Sequence, residues 1–146
     1  HLILGQKAQA LMQYQAILVF DPSHAKARLE LVRLYVEKEQ IATALRLCLE
    51  GIEAYPEHPD LHRFHFALGQ VYFTAGRTLE AEESWKRALE LVPEYDEVHF
   101  LLGTVYESTD RTELAKDAYE AFLQRWDPDS PKSAAARQAL ERLAAQ

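Results

Sequence analysis

The sequence predicts an all-α fold of stacked antiparallel helix pairs, and three observations carry that prediction. Apolar-periodic stretches recur, and each closes on a proline. QAILVFDP, EGIEAYP, RALELVP and LQRWDP end at Pro22, Pro56, Pro93 and Pro128, which lie 34, 37 and 35 residues apart. Two further series keep the same phase: Ala10, Ala44, Ala81 and Ala115 at intervals of 34, 37 and 34, and Tyr35, Tyr72 and Tyr106 at 37 and 34. Finally, 5 glycines and 6 prolines in 146 residues leave little room for a many-turned β fold. A unit of this length cannot bury its apolar face alone, so successive units must stack.

Each repeat reads as two helices. In residues 62–95 the first helix is expected over 61–75 and the second over 78–91, with Gly76 in the turn, where glycine tolerates a positive φ. Thr78 is the expected cap of the second helix, and Glu80, Glu82 and Glu83 put acid at its positive end. Pro93 stops that helix, because proline lacks an amide hydrogen and its ring clashes with the preceding turn. Asp21-Pro22-Ser23 offers similar start chemistry to the second repeat. The three surplus residues between Pro56 and Pro93 are expected in a loop at His58-Pro59-Asp60-Leu61. Asp129-Ser130-Pro131 opens a last helix over 132–145, with Ala136, Ala139, Leu140 and Leu143 on one face and Arg137, Gln138, Glu141 and Arg142 on the other. That helix reads as a polar-faced cap or as the first helix of a further repeat. His1-Leu2-Ile3-Leu4 reads as the tail of an earlier helix. A chain that opens on His1, with Met12 as its one methionine, is expected to be a fragment or a processed product.

These residues resemble the tetratricopeptide repeat family, whose pattern runs aromatic-x2-L-G-x2-Y, then alanine, an aromatic and proline. Residues 62–95 carry Leu68-Gly69-x2-Tyr72, Gly76, Ala81, Trp85, Ala88 and Pro93. Residues 96–129 carry Leu102-Gly103-x2-Tyr106, Ala115, Tyr119 and Pro128. Residues 25–58 match more loosely through Leu31, Tyr35, Ala44, Cys48 and Pro56, and residues 1–24 through Gly5, Ala10, Tyr14 and Pro22. The resemblance implies a right-handed superhelical solenoid in one domain over 1–146. Its parts are a partial repeat at 1–24 (the end of a helix A plus a helix B), full repeats at 25–58, 62–95 and 96–129, and a capping helix at 132–145. Val32 replaces the expected glycine, Gly51 an expected alanine, and Phe122 stands at that same later position. Such exchanges suit a core whose total volume is held nearly constant.

The chemistry of individual side chains points away from catalysis and metal binding. His58, His62 and His65 are close in sequence, but structural zinc takes four ligands, and His65 shares a packing position with His99. Cys48, the single cysteine, falls at a packing position in helix B and reads as a buried, inert thiol. Glu82–Glu83 and Asp96–Glu97 read as solvated surface, and no phosphate loop, G-x-S-x-G or H-E-x-x-H occurs. No catalytic residue and no cofactor is expected. With 23 acidic against 16 basic residues, a net charge of −7 argues against nucleic acid and anionic membranes. No apolar run reaches the length of a membrane span.

The resemblance further implies a protein–protein interaction scaffold, in which helix A of each repeat lines a concave groove that holds a peptide or helix of a partner. The positions carried over by phase are Lys26, Leu29, Glu30, Arg33, Val36 and Glu37; Arg63, Phe66, Ala67, Gln70, Phe73 and Thr74; and Glu97, Phe100, Leu101, Thr104, Glu107 and Ser108. The strongest candidates are Lys26, Leu29, Glu30, Arg33, Arg63, Phe66, Gln70, Phe73, Phe100, Leu101, Thr104 and Glu107. One subset of the family clamps a C-terminal carboxylate with asparagines. Arg33 and Gln70 stand at one of those positions and Glu30 and Ala67 at the other, which argues against a clamp here. Leu29, Phe66, Phe73, Phe100 and Leu101 instead form an apolar strip suited to an amphipathic or apolar segment, although about half of the phenylalanines belong in the core on general grounds. Flanking Glu30, Glu37, Glu97 and Glu107 would favour basic residues on the ligand. Self-assembly through apolar surface at the first repeat, or service as a recruiting module of a larger protein, are the alternatives.

Overall fold

Three turns of one design set the frame of the repeats. Glu39, Gly76 and Asp110 all take the left-handed conformation, with φ of 60°, 77° and 58°. After each, an amide reaches back five residues to a tyrosine carbonyl: Gln40 to Tyr35 at 2.8 Å, Arg77 to Tyr72 at 2.9 Å and Arg111 to Tyr106 at 2.9 Å. This is a Schellman closure, which satisfies carbonyls that a helix end leaves open. The arginines then lie over the same tyrosines, Arg77 4.8 Å from the Tyr72 ring centre and Arg111 4.7 Å from that of Tyr106. The tyrosine series read from the sequence thus marks where each first helix ends.

The computed structural model describes residues 2–146, and within them the chain is all α-helix with no strand. The described helices are α1 (Leu2–Phe20), α2 (Ala25–Glu37), α3 (Ile41–Ala54), α4 (Leu61–Thr74), α5 (Thr78–Leu91), α6 (Asp96–Ser108), α7 (Thr112–Leu123) and α8 (Pro131–Ala144). Backbone contacts divide the chain into two compact units, one through Arg87 and one from Ala88.

The first unit packs α2 on α3, α3 on α4 and α1 on α2. Leu31, Val32, Ala44, Leu47, Cys48, Leu68 and Val71 form its buried cluster, with Leu11, Tyr14 and Leu18 of α1 partly buried against it. Phe64 and Trp85 are also fully buried, each such side chain contributing roughly 2 kcal/mol of apolar burial. Arg28 is buried too, and its guanidinium is satisfied by the carbonyls of Leu47 at 3.2 Å and Pro22 at 2.9 Å. In the second unit α6 packs on α7 and α8 on both. Its core holds Val98, Leu102, Val105, Ala115, Tyr119, Phe122, Ala136, Ala139 and Leu143.

Four local expectations need correction. Residues 2–20 form one continuous helix, so Leu2-Ile3-Leu4 belong to α1 together with Gly5 and not to the tail of an earlier helix. The helix runs through Gly5 although glycine costs a helix interior ~1 kcal/mol. The cap of α2 is His24, whose Nδ1 accepts the Ala27 amide at 3.1 Å, while Asp21 holds Ser23 in a turn. Thr78 lies inside α5, because the Arg77 carbonyl already receives the Ala81 amide at 3.1 Å. The last helix starts one residue early at Pro131, since proline loses nothing at a first-turn position, and Ser130 caps it by accepting the Ser133 amide at 3.1 Å.

Candidate partner-binding surface

In the first unit α2 and α4 lie side by side and carry eight of the candidate residues. Lys26, Arg33, Arg63 and Gln70 are exposed, and Leu29, Glu30 and Phe66 are half-buried. Phe73 is 48% exposed, and its ring leans on the buried Trp85 indole at 5.8 Å between centres. Trp85 is itself held by donating from Nε1 to the Phe66 carbonyl at 3.1 Å. Phe73 is therefore a solvent-facing ring on a fixed base.

The charges on this face are largely spent within the chain. Arg33 donates from Nε and Nη2 to Glu30 at 3.1 and 3.0 Å, and from Nη1 to Glu37. Glu37 also takes Lys7 of α1 at 2.7 Å. The Lys7 ammonium, with Arg33 beside it, holds the Glu37 carboxyl below the usual carboxylate range, and hydrogen bonding to Glu30 raises Arg33. Arg63 lies 3.6 Å from Asp60. Deep in the same unit, burial pushes the Cys48 thiol up to about 12, which keeps it protonated and unreactive at neutral pH.

In the second unit the candidates fall on α6 and mostly serve the fold. Phe100 is half-buried, edge-on to Tyr119 at 5.9 Å and against Phe122 at 5.1 Å. Thr104 turns its hydroxyl back to the Leu101 carbonyl at 2.7 Å. Glu107 accepts from Tyr119 at 3.0 Å and from two nitrogens of Arg142 on α8, both at 3.1 Å. The Arg142 guanidinium and the Tyr119 hydroxyl keep the Glu107 carboxyl below its ordinary value. Burial, then the neighbouring carboxylate, pushes the Tyr119 hydroxyl well up. Glu97 pairs with Lys132 of α8 at 2.8 Å, and Lys132 also lies 5.7 Å above Trp126. All four carboxylates expected to attract a basic ligand thus have cationic partners in the chain. The sequence reading missed Lys7, Lys132 and Arg142 in this role. For the last two a signal existed: Glu97 to Lys132 and Glu107 to Arg142 are both opposite charges 35 residues apart, one repeat period.

Among the described residues no group of three or more His, Cys, Asp or Glu side chains is placed to hold a metal ion, and no helix is long and apolar enough to cross a membrane. His58 serves its loop, its Nδ1 accepting the Asp60 amide at 3.0 Å and its ring meeting Phe64 edge-on at 6.1 Å.

Comparison with known proteins settles the ancestry of this helical frame. Two models described as tetratricopeptide repeat match the sequence, one over residues 1–70 and the other over 66–131. The chain belongs to the tetratricopeptide repeat family. No curated protein matches this tetratricopeptide chain. Among solved structures it is similar to a thermophilic tetratricopeptide protein of Thermus thermophilus, at 24% identity and a TM-score of 0.79, covering 96% of this chain and 76% of that one. It is also similar to MamA, at 21% identity and a TM-score of 0.75 over 98% and 80% of the two chains. PilF of Pseudomonas aeruginosa aligns at 17% identity and a TM-score of 0.74 over 92% and 64%. At these identities the likeness is one of fold. Tetratricopeptide proteins are in general non-catalytic modules for protein–protein interaction, and this chain shares their repeat scaffold.

Proposed function

We propose that the chain recruits a partner protein by holding an apolar or amphipathic segment along α2 and α4. The observation that carries this reading is Phe73, half in solvent yet braced by Trp85, with Phe66 and Leu29 on the same pair of helices. An aromatic ring on a rigid base loses little entropy when a ligand covers it, and such rings are favoured anchors. The paired state of Glu30, Arg33 and Glu37 supports an apolar rather than a basic ligand, because a new salt bridge would first have to break an existing one. The division into a partial first repeat, three full repeats and a cap belongs to the same proposal, as does the absence of catalysis.

The test is capture of partners from source lysate by the wild-type chain and by Phe73→Ala and Phe66→Ala baits. Truncating an anchor is expected to weaken capture by ~30-fold, the equivalent of about 2 kcal/mol. Phe73→Ala should leave stability within about 1 kcal/mol, since the ring is half-exposed, whereas Phe100→Ala should cost ~2–3 kcal/mol by opening a cavity beside Tyr119 and Phe122. Partner capture that survives both bait substitutions would remove this reading. Self-assembly is the second reading, favoured by the exposure of α1, where Leu2, Ile3, Leu4, Met12, Val19 and Phe20 are all at least 68% exposed. Light scattering that finds a monomer at every concentration would remove it.

A further inference from the structure

Two loops of the first unit lead into α2 and α4, and a histidine closes each. His24 caps α2, its Nδ1 accepting the Ala27 amide at 3.1 Å. His58 stands 34 residues later, one repeat period, and its Nδ1 accepts at 3.0 Å the amide of Asp60, the residue from which α4 starts. Both rings are half-buried. Each bond needs a lone pair on Nδ1, so the ring proton sits on Nε2. A second proton takes that lone pair and leaves two N–H groups facing each other. His99, in the second unit, is the opposite case. Its Nε2 lies 3.2 Å from the Pro93 carbonyl, and a protonated ring keeps that bond.

Buried side chains join the two loops. Arg28 donates to the Pro22 carbonyl of the first loop at 2.9 Å. Its Cδ and the Phe64 ring both pack over Gly51, where a Cβ would lie 2.7 Å from one and 3.2 Å from the other. Phe64 in turn meets the His58 ring edge-on at 6.1 Å. The Ser23 hydroxyl, and then charge on His24 and His58, hold the Asp21 carboxyl below its usual range, so both rings lie in the field of one carboxylate. The other charged groups about the junction are Arg28 itself, 3.7 Å from Glu50 of α3, and Asp60, 3.6 Å from Arg63 of α4. A proton taken up by either ring therefore adds charge to a junction that already holds a buried guanidinium.

We infer that His24 and His58 form a proton-operated joint, which loosens the starts of α2 and α4 when the two rings become charged. Imidazole is the side chain that changes charge between about pH 5 and 8, and carboxylates ordinarily titrate near pH ~4, below that range. Lys26 and Leu29 lie in the first two turns of α2, and Arg63 and Phe66 in those of α4. Partner capture along α2 and α4 should fall with the same proton uptake. That consequence rests on the reading proposed above; the joint itself does not.

The experiment is an amide NMR titration of the whole chain, without partner, from about pH 7.5 to 5.5. The Ala27 and Asp60 amide protons should move upfield together with the carbon-bound ring protons of His24 and His58. Their protection, measured against the unstructured exchange rate at each pH, should drop ~5-fold, the effect of losing a helix cap. His24→Asn combined with His58→Asn keeps an acceptor at both places and takes up no proton, so its Ala27 and Asp60 amides should hold still across the window. His99→Asn should leave the wild-type response of both amides unchanged. Wild-type amides that stay fixed while both rings gain their protons overturn the inference. So does a doubly substituted chain that responds as the wild type does. Partner capture that ignores pH while the amides respond counts against the α2–α4 reading and not against the joint.

Discussion

The second repeat and the two that follow it solve one contact in opposite ways. In the second, α2 brings the bulk with Val32 and α3 gives way with Cys48. In the third and fourth, α4 and α6 give way with Gly69 and Gly103, and Trp85 and Tyr119 fill the space. One turn on, the second-helix position also changes size. Gly51 leaves room for the buried Arg28, where a Cβ would lie 2.7 Å from Cδ of the arginine. Phe122 holds the equivalent place in the fourth repeat and packs on Phe100. The repeat thus conserves the sum of two volumes across the pair and leaves open which helix supplies it. The sharpest way to break this reading is Gly69→Val or Gly103→Val. Either should cost about 3 kcal/mol in urea unfolding, partly relieved because glycine itself costs a helix ~1 kcal/mol. Gly103→Val combined with Tyr119→Cys, which copies the second repeat, should recover ~1–3 kcal/mol of that loss. Additive costs would mean that the two positions do not share a volume.

That exchange shows how far the sequence could be read. Positions 61–91 were legible almost to the residue, because Gly76 and Pro93 act through the backbone alone and α4 and α5 obey them locally. The partnership of Val32 with Cys48 was not legible as such. Each residue departs from the pattern separately, and only their place in one buried cluster ties the two departures together. α1 misled for a related reason: its glycine stands one period before Glu39, where the pattern wants a turn, yet helix continues through it. The candidate surface was legible in position but not in state. Register found Phe73 and Glu107 equally well. Whether a side chain faces water or another side chain depends on neighbours a period away, such as Arg142 for Glu107.

The same repeats differ in how their acids are tied, and acid pH should sharpen the difference. Glu107 joins α6 to α8 through Arg142, and its folded pKa lies below the ordinary 4.5. A carboxyl lowered on folding adds stability that is present above the unfolded value and is lost as pH falls through the folded one. The second unit should therefore hold its stability from neutral pH down to about 4.5 and lose it below. Glu107→Gln should remove that acid-limb contribution and cost less than about 1 kcal/mol at pH 7, since Arg142 is largely in water. Glu37 is lowered by Lys7, so Lys7→Met should flatten the same limb in the first unit. Identical acid limbs in wild type and Glu107→Gln would show that the pair does not hold α8.

The smallest effect comes from the turns, where the second and fourth repeats carry strain that the third avoids. Glu39 and Asp110 sit at φ of 60° and 58°, in the region that Gly76 occupies at 77°. A left-handed residue with a Cβ costs roughly 1–2 kcal/mol. Glycine avoids that cost but frees the unfolded chain, which takes back ~0.5–1 kcal/mol. The first term outweighs the second, so Glu39→Gly should stabilise by ~0.5 kcal/mol, read as a rise in the urea midpoint. Asp110→Gly should gain less, because a short aspartate tolerates this conformation better than glutamate does. Gly76→Ala runs the exchange backwards and should lose ~0.5–1 kcal/mol, with no steric contribution, since nothing lies within 4 Å of a Cβ there. Opposite signs for Glu39→Gly and Gly76→Ala would establish that the three turns are one device filled by different residues. A loss in both would mean that Glu39 contributes something to its turn beyond the backbone.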